Sequence, residues 1–142
     1  MIMRRPLRAF GPLVRTAVWV LLLLAPALAA AQEFRARVVG VDDGDTVRVL
    51  RGQGDVRIRI FGIDAPEATQ PFGPEARELA RRLLLDQTVV VSMKSVDQYG
   101  RLVAALVLHG RDVGAELIAA GAAWNYAQFS QDDRLATLEA GA

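Results

Sequence analysis

The chain of 142 residues contains no cysteine, and its 17 basic and 16 acidic residues give a formal net charge of +1. The absence of cysteine excludes disulfide frameworks and thiolate metal sites. The nearly balanced charge also excludes a generally basic surface of the kind that coats nucleic acid. The only histidine, His109, lies in the turn sequence "HGRD", and we expect it to be solvated rather than catalytic.

The first 31 residues have the three parts of a secretory signal peptide. The segment begins with a basic region that holds four arginines and no acid, continues as an apolar run, and ends in three alanines before Gln32. This order predicts export and cleavage. An uncleaved membrane anchor is the alternative, but the apolar run is short for a span and contains Pro26.

Cleavage would leave one domain, residues 32–142, with 13 basic and 16 acidic residues and therefore a net charge of −3. A domain of this size can bury a core without covalent staples. We expect it to be secreted or periplasmic, to be a monomer, and to have no stable association with a membrane. Because it is acidic, only a few placed cations could hold a phosphate-bearing substrate.

The first half of this domain reads as three strands followed by a helix. Runs rich in valine and isoleucine predict strands at 34–41, 46–50 and 56–61. Asp43-Gly44, between the first two runs, is typical of a hairpin turn in which glycine adopts a positive φ. In the third run the isoleucines face one side and the arginines the other. Apolar residues at helical spacing then predict a helix over 73–86.

The second half adds two strands and two helices. Strands are predicted at 88–94 and 102–108. Asp112 is placed to cap a short helix that ends near Gly121, and a last helix begins around Asp132. Its Leu135 and Leu138 are expected to pack against the barrel. Five strands with a helix after the third are the element order of an OB-type barrel, so we predict an α+β, five-stranded OB-fold with C-terminal helices.

Acidic residues follow the ends of neighbouring predicted strands. Asp43 and Asp45 flank the first turn, and Asp64 and Glu67 come directly after the third strand. Convergent carboxylates without histidine or cysteine favour a hard cation, Ca²⁺ or Mg²⁺. Spacing alone supports equally well two solvated acidic turns that bind nothing. We expect Asp42 to be merely solvated.

Two arginines add a second kind of chemistry. Arg59 precedes Asp64 by five residues on the third strand, and Arg101 lies in the turn "DQYGR". A planar guanidinium matches two phosphate oxygens in a way that an ammonium does not. Carboxylates that hold a divalent cation, one further glutamate and two arginines form a set suited to phosphodiester cleavage.

Four motifs occur in the order seen in one known family. "DGDT", "RIFGIDAPE", "QPFGPEA" and "DQYGRLVA" resemble the staphylococcal nuclease (thermonuclease) family, and "LIAAGAAWNYAQFS" looks like its second helix and the segment after it. The likeness covers nearly all of residues 36–140 and implies the same OB-fold.

The resemblance implies a role for eight residues. Asp45 and Asp64 match carboxylate ligands of a catalytic Ca²⁺, Ala65 matches a ligand that uses its backbone carbonyl, and Asp43 supports the metal shell. Glu67 matches the proposed general base. The remaining matches bind phosphate: Arg59 and Arg101 at the reacting group, and Tyr99 at a terminal phosphate.

The resemblance therefore implies an exported Ca²⁺-dependent nuclease that hydrolyses DNA and RNA with little sequence preference and leaves 3′-phosphate products. The alternative is a non-catalytic OB module that binds single-stranded nucleic acid or protein, although such modules need stacking aromatics and a basic groove. Three departures stand out. Gln98 replaces a frequent cation, and the loop 68–72 lacks lysine, so we expect weaker substrate binding. The sequence also ends at "LEAGA", where relatives continue the last helix, so we expect modest stability.

Overall fold

The computed structural model describes residues 33–126 and 133–142. The predicted signal peptide lies outside these residues. No helix in the described part is long and apolar enough to cross a membrane. In chain order the elements are β1 (Glu33–Asp43), β2 (Thr46–Arg51), β3 (Gly54–Ile60), β4 (Ile63–Asp64), α1 (Gly73–Leu84), β5 (Thr88–Val96), β6 (Leu102–Leu108), β7 (Arg111–Asp112), α2 (Val113–Ala119), β8 (Trp124–Asn125) and α3 (Asp133–Gly141).

The five long strands close into a barrel. β1, β2 and β3 form an antiparallel meander, and β1 also pairs with β5, which pairs with β6. The barrel closes because β3 lies parallel to β6, with Ile58 opposite Leu102. The short β4 and β8 form a separate two-stranded ladder, and β7 extends the barrel edge. The predicted five-stranded OB-type barrel with helices is confirmed.

The apolar pattern of the sequence fills the barrel as expected. Ile58 and Ile60 of β3 are buried, and α1 buries Ala76, Ala80 and Leu84. The five predicted strands and α1 agree with the structure to within about two residues at each end. Three two-residue strands, β4, β7 and β8, were not predicted, because such short pairs carry no periodicity.

The two C-terminal helices follow the sequence signals in part. Asp112 caps α2 by accepting a hydrogen bond from the backbone N–H of Ala115 at 3.0 Å, as predicted. The last helix packs against α2 and β8. Leu135 is buried there, but Leu138 is exposed. The expectation that both leucines pack was therefore wrong for Leu138, because only one turn of this short helix is covered.

The turn between β1 and β2 forms as predicted, but for a different reason. Asp43 lies opposite Thr46 in the hairpin, yet Gly44 is not among the glycines with positive φ. A Cβ at Gly44 would lie 2.8 Å from the Cβ of Ala65 and 3.2 Å from that of Ala76. The glycine is required by close approach rather than by backbone conformation.

Asp42 is not merely solvated. Its Oδ1 accepts a hydrogen bond from Nε of Arg48 at 3.0 Å, and its Oδ2 accepts one from Nε of Arg57 at 3.1 Å. The carboxylate thus ties β1 to β2 and β3 across the outer face of the barrel. The expectation was wrong because a turn acid and two arginines on neighbouring strands share one face of the sheet.

Candidate active site

One end of the barrel carries a pocket of about 610 Å³. Its walls come from the β1–β2 turn, the end of β3, the segment after β4, and the β5–β6 turn. These elements lie far apart in the sequence, and closure of the barrel brings their ends together. All eight residues singled out from the sequence line this pocket: Asp43, Asp45, Arg59, Asp64, Ala65, Glu67, Tyr99 and Arg101.

Arg59 connects the two acid pairs. Its Nη1 donates to Oδ2 of Asp45 at 2.6 Å, and its Nη2 donates to Oδ1 of Asp64 at 2.9 Å. Since Arg59 lies opposite Thr46 in the β2–β3 ladder, the strand register fixes the base of this side chain. The Arg59 side chain is 20% exposed and that of Asp45 is 7% exposed, so this ion pair is shielded from bulk water, whereas the Asp64 side chain is 34% exposed.

The electrostatics keep Arg59 charged in this half-buried position. Burial by itself would lower the pKa of the guanidinium, but the charge of Asp45, and the hydrogen bonds that Arg59 donates to both carboxylates, outweigh it and raise the pKa above its ordinary value. A permanently cationic group therefore faces the pocket.

Asp45 is the most enclosed acid of the site. It is 5% exposed, and its Oδ2 also accepts a hydrogen bond from the backbone N–H of Ala65 at 3.1 Å. Its Oδ1 accepts a hydrogen bond from the hydroxyl of Thr46 at 2.9 Å. These partners hold a buried carboxylate in one orientation, which an exposed turn would not do.

Asp43 and Glu67 belong to two facing loops. Oδ1 of Asp43 accepts the backbone N–H of Ala68 at 3.0 Å, so Asp43 ties the β1–β2 turn to the segment that carries Glu67. The backbone N–H of Glu67 donates to Oε1 of Gln70 at 2.8 Å. The Glu67 residue itself is exposed at the pocket.

The position of the Glu67 segment depends on Gly73. A Cβ at Gly73 would lie 1.8 Å from the carbonyl oxygen of Glu67, a distance that no folded structure tolerates. The preceding residue, Phe72, has a left-handed φ of 64°. The chain therefore turns tightly from Glu67 into the start of α1, and only glycine fits at that point.

Arg101 is oriented by a residue that the sequence analysis did not single out. Nε of Arg101 donates to Oδ2 of Asp97 at 2.7 Å, while Oδ1 of Asp97 accepts the backbone N–H groups of Tyr99 and Arg101, both at 2.9 Å. Burial raises the pKa of Asp97, but these hydrogen bonds and the Arg101 charge outweigh it, and the pKa lies below its ordinary value. The signal available in the sequence was the spacing "DQYGR", which places an acid four residues before the arginine.

Two tyrosines lie on the arginines. The guanidinium carbon of Arg101 is 5.3 Å from the ring centroid of Tyr99, and that of Arg59 is 5.9 Å from the ring centroid of Tyr126. Tyr99 is 73% exposed. Tyr126, which also lines the pocket, was not singled out, because its position depends on the β4–β8 pairing that the sequence did not reveal.

The pocket is strongly acidic overall. Five carboxylates and two arginines line it, which gives a formal charge of −3 when all are ionised. A phosphate group would be repelled by this charge unless a cation entered with it. The donor types suit a hard divalent cation: carboxylate oxygens of Asp45 and Asp64, with Ala65 also lining the pocket.

Asp43, Asp45, Asp64 and Glu67 nevertheless do not form a metal-binding cluster by themselves. Within residues 33–126 and 133–142, no three histidine, cysteine, aspartate or glutamate side chains are close enough to hold a metal ion. The guanidinium of Arg59 accounts for this, since it pairs with both Asp45 and Asp64. Asp45, Asp64 and the Ala65 carbonyl could therefore serve a Ca²⁺ only if water or phosphate oxygens completed its shell.

Fold and site together define an OB-fold protein with an acidic, arginine-containing pocket at one end of its barrel. The chain belongs to the staphylococcal nuclease homologue family, whose model matches residues 57–142. It is 37% identical over 121 residues to a protein named micrococcal nuclease from Shigella flexneri, which covers 79% of this chain and 68% of that protein.

Two further relatives extend the family assignment. A protein named uncharacterized endonuclease from Escherichia coli is 37% identical over 108 residues, covering 75% of this chain and 71% of that protein. A staphylococcal-like nuclease of Arabidopsis thaliana is 32% identical over 83 residues, covering 58% of this chain and 26% of that protein. These relatives identify the chain as a member of a nuclease family.

Proposed function

We propose that this protein is an exported, Ca²⁺-dependent nuclease that hydrolyses phosphodiester bonds of DNA and RNA with little sequence preference and leaves 3′-phosphate ends. The observation that carries the proposal is the pocket itself, which brings together two oriented arginines, an exposed glutamate and two carboxylates suited to Ca²⁺. The family of nuclease-named relatives supports the same activity.

The arginines are placed to bind the reacting phosphate. A guanidinium has five N–H donors. Arg59 donates from Nη1 to Asp45 and from Nη2 to Asp64 and to the carbonyl oxygen of Ile63, which leaves two of its five N–H groups without an acceptor among the described residues. Arg101 uses Nε for Asp97, which leaves both terminal nitrogens for the phosphate. Fixed donors of this kind stabilise the charge that develops on phosphoryl oxygens in the transition state.

Glu67 is placed to accept a proton. Its carboxylate is exposed at the pocket, and its backbone is held by Gln70 and by close packing on Gly73. We assign it the role of general base toward an attacking water. A Ca²⁺ held by Asp45, Asp64 and the Ala65 carbonyl would supply neutralising charge at the phosphate when bound.

The pocket favours substrates that are recognised through phosphate. Its polar groups are mostly carboxylates and guanidinium groups, and guanidinium contacts to phosphate fix position without reading base identity. The aromatic rings beside them can stack on any base. These features support action on both DNA and RNA with little sequence preference.

The direct test is cleavage by residues 32–142 of linear DNA and of RNA with Ca²⁺, with EGTA, and with Ca²⁺ restored after EGTA. We expect cleavage only in the first and third conditions. The 3′-phosphate assignment predicts that the products cannot prime a polymerase until a phosphatase has treated them. Cleavage that persists in EGTA, with no other divalent ion present, would contradict the Ca²⁺ assignment, and binding without cleavage would favour a non-catalytic OB module.

Export is tested separately. The four arginines, the apolar run and the alanine site support removal of residues 1–31. Expression of the full chain in a Gram-negative host, followed by fractionation, should give a periplasmic or secreted product whose N-terminal residue is Gln32. A product that keeps its N-terminus in the membrane fraction would contradict this part of the proposal.

A further inference from the structure

Lys94 is the only lysine of the chain, and it lies at an irregularity of the barrel. In the β5–β6 ladder the register shifts between Met93 and Ser95, which leaves Lys94 as the extra residue. A bulge of this kind bends the strand and redirects the side chain at that position. The shift occurs near the end of β5, where the strand reaches the acidic pocket.

The redirected side chain lies beside the pocket wall. The ammonium nitrogen of Lys94 is 5.8 Å from the ring centroid of Phe61. Phe61 lines the acidic pocket, and so does Ser95, the neighbour of Lys94. In the part of the chain that the structure describes, no carboxylate forms an ion pair with Lys94. Its charge is therefore not neutralised by any carboxylate of the described residues.

The arginines of the pocket differ in this respect. Arg59 is paired with Asp45 and Asp64, and Arg101 is paired with Asp97. These ion pairs hold both guanidinium groups at the position where the reacting phosphate would lie. A nucleic acid strand carries a phosphate on every nucleotide, so the neighbouring phosphates also need compensating charge next to a pocket of formal charge −3. Gln98, in the turn after β5, supplies none.

We propose that Lys94 binds the phosphate next to the one that is cleaved, and so makes the site prefer a strand of several nucleotides over a dinucleotide. The inference rests on the proposed nuclease function. An unpaired ammonium on a flexible stem suits this task, because a neighbouring phosphate needs a point charge rather than a fixed fork. Lys94 is a substrate-binding residue, with no part in the chemical step.

The test compares two substrates in the variant Lys94→Gln. For a single-stranded oligonucleotide we expect KM to rise several-fold with kcat unchanged. The dependence of log(kcat/KM) on log salt should weaken by about 0.7, the value for one phosphate contact on a single strand. For a dinucleoside monophosphate, which has no second phosphate, we expect no change in either constant. Lys94→Arg should restore the oligonucleotide KM because it restores the charge.

Arg82→Gln is the matched control, because Arg82 is an exposed cation in the last turn of α1, and no residue of that helix lines the pocket, whereas Lys94 lies on β5 beside the lining residue Ser95. Its loss removes the same charge and should leave KM and the salt dependence as in the wild type. If the wild type cleaves but Lys94→Gln matches it in KM and salt dependence, the role of Lys94 is wrong and the nuclease function stands. An equal loss on both substrates would also overturn it, and a wild type that cleaves neither substrate overturns the nuclease function together with this inference.

Discussion

Arg59 and Asp45 form a 2.6 Å ion pair at the mouth of the barrel, and the carboxylate in this pair is 5% exposed. The group proposed to hold phosphate is thus positioned by a group proposed to hold the metal. Because an enclosed ion pair loses much of its stabilisation when one partner is removed, substitutions at either residue should affect folding as well as cleavage. Binding and folding experiments must therefore accompany each kinetic one.

Arg59→Lys should severely impair the enzyme while Arg57→Lys does not. A lysine ammonium cannot reach Asp45 and Asp64 as a fork and still present donors to a phosphate. Loss of one such stabilising donor typically lowers kcat by about 10²–10³, and we expect a fall of that size. Arg57 is the matched control, since it lies on the same strand but pairs with Asp42 outside the pocket. Steady-state kinetics on single-stranded DNA would measure both, and equal activity of the two variants would contradict the role of Arg59.

Glu67→Gln preserves the shape of the side chain but removes the proton acceptor. Loss of a general base typically lowers the rate by about 10²–10⁴, so we expect kcat to fall in that range with much less change in nucleotide affinity. Glu75→Gln, an acid in the first turn of α1 that does not line the pocket, should leave kcat unchanged. A Glu67→Gln kcat within a few-fold of the wild type would exclude the assigned role.

Gly73→Ala should damage catalysis although it replaces no polar side chain of the site. Its Cβ would meet the carbonyl oxygen of Glu67 at 1.8 Å, so the Glu67 segment must move. Overpacking of this kind costs about 1–3 kcal/mol of stability, and displacement of the base should lower kcat as well. Gly54→Ala is the control, because a Cβ there meets nothing within 4 Å. Urea unfolding and kcat, measured on both variants, separate the two effects, and an unchanged kcat in Gly73→Ala would show that the segment relaxes without moving Glu67.

The residues of this site could largely be predicted from the sequence, but the contacts between them could not. The sequence placed four acids at the ends of neighbouring strands, and the resemblance to the staphylococcal nuclease family assigned all eight residues to one site. The pairing of Arg59 with both Asp45 and Asp64 could not be placed, since it depends on the β2–β3 register and on side-chain reach. The requirement for Gly73 depends on how closely α1 approaches the Glu67 carbonyl, a tertiary distance that no local pattern encodes.

Asp97→Asn should make the free energy of unfolding depend less on pH. The pKa of Asp97 is lowered in the folded state from an ordinary value of 3.8, so its stabilisation is fully present above that pH and is lost as the pH falls through the lower folded value. We expect the free energy of unfolding of the wild type to exceed that of Asp97→Asn by on the order of 1 kcal/mol near neutral pH. The difference should shrink below pH 3.8.

Urea denaturation across pH 2.5–7 would measure this difference, with Asp55→Asn as the control. Asp55 pairs with Arg48 at the surface, where ion pairs contribute little to the free energy of unfolding. The Asp97→Asn variant should also raise KM for DNA, because Arg101 loses the acceptor that fixes its Nε. A difference that stays constant from neutral to acidic pH would contradict the assigned charge interaction.

Ligand binding should stabilise the fold through the same pocket. Without ligands, the carboxylates that line it exceed the arginines by three charges, and this imbalance opposes folding. A ligand that binds only the folded form stabilises it by about 2.7 kcal/mol at a hundredfold excess over its Kd. For a domain of this size we therefore expect Ca²⁺ with a nucleoside bisphosphate to raise Tm by roughly 10 °C.

Either ligand alone should raise Tm much less, because the cation and the phosphate each lessen the electrostatic cost of binding the other. Asp45→Asn should abolish the joint shift, since it removes a charged ligand for the cation and a partner of Arg59. Asp55 lies outside the pocket, so the Asp55→Asn variant should retain the full Tm shift. Thermal unfolding followed by circular dichroism would measure all three proteins. Equal Tm values for the wild type with and without saturating ligands would show that these acids and arginines do not act as one binding site.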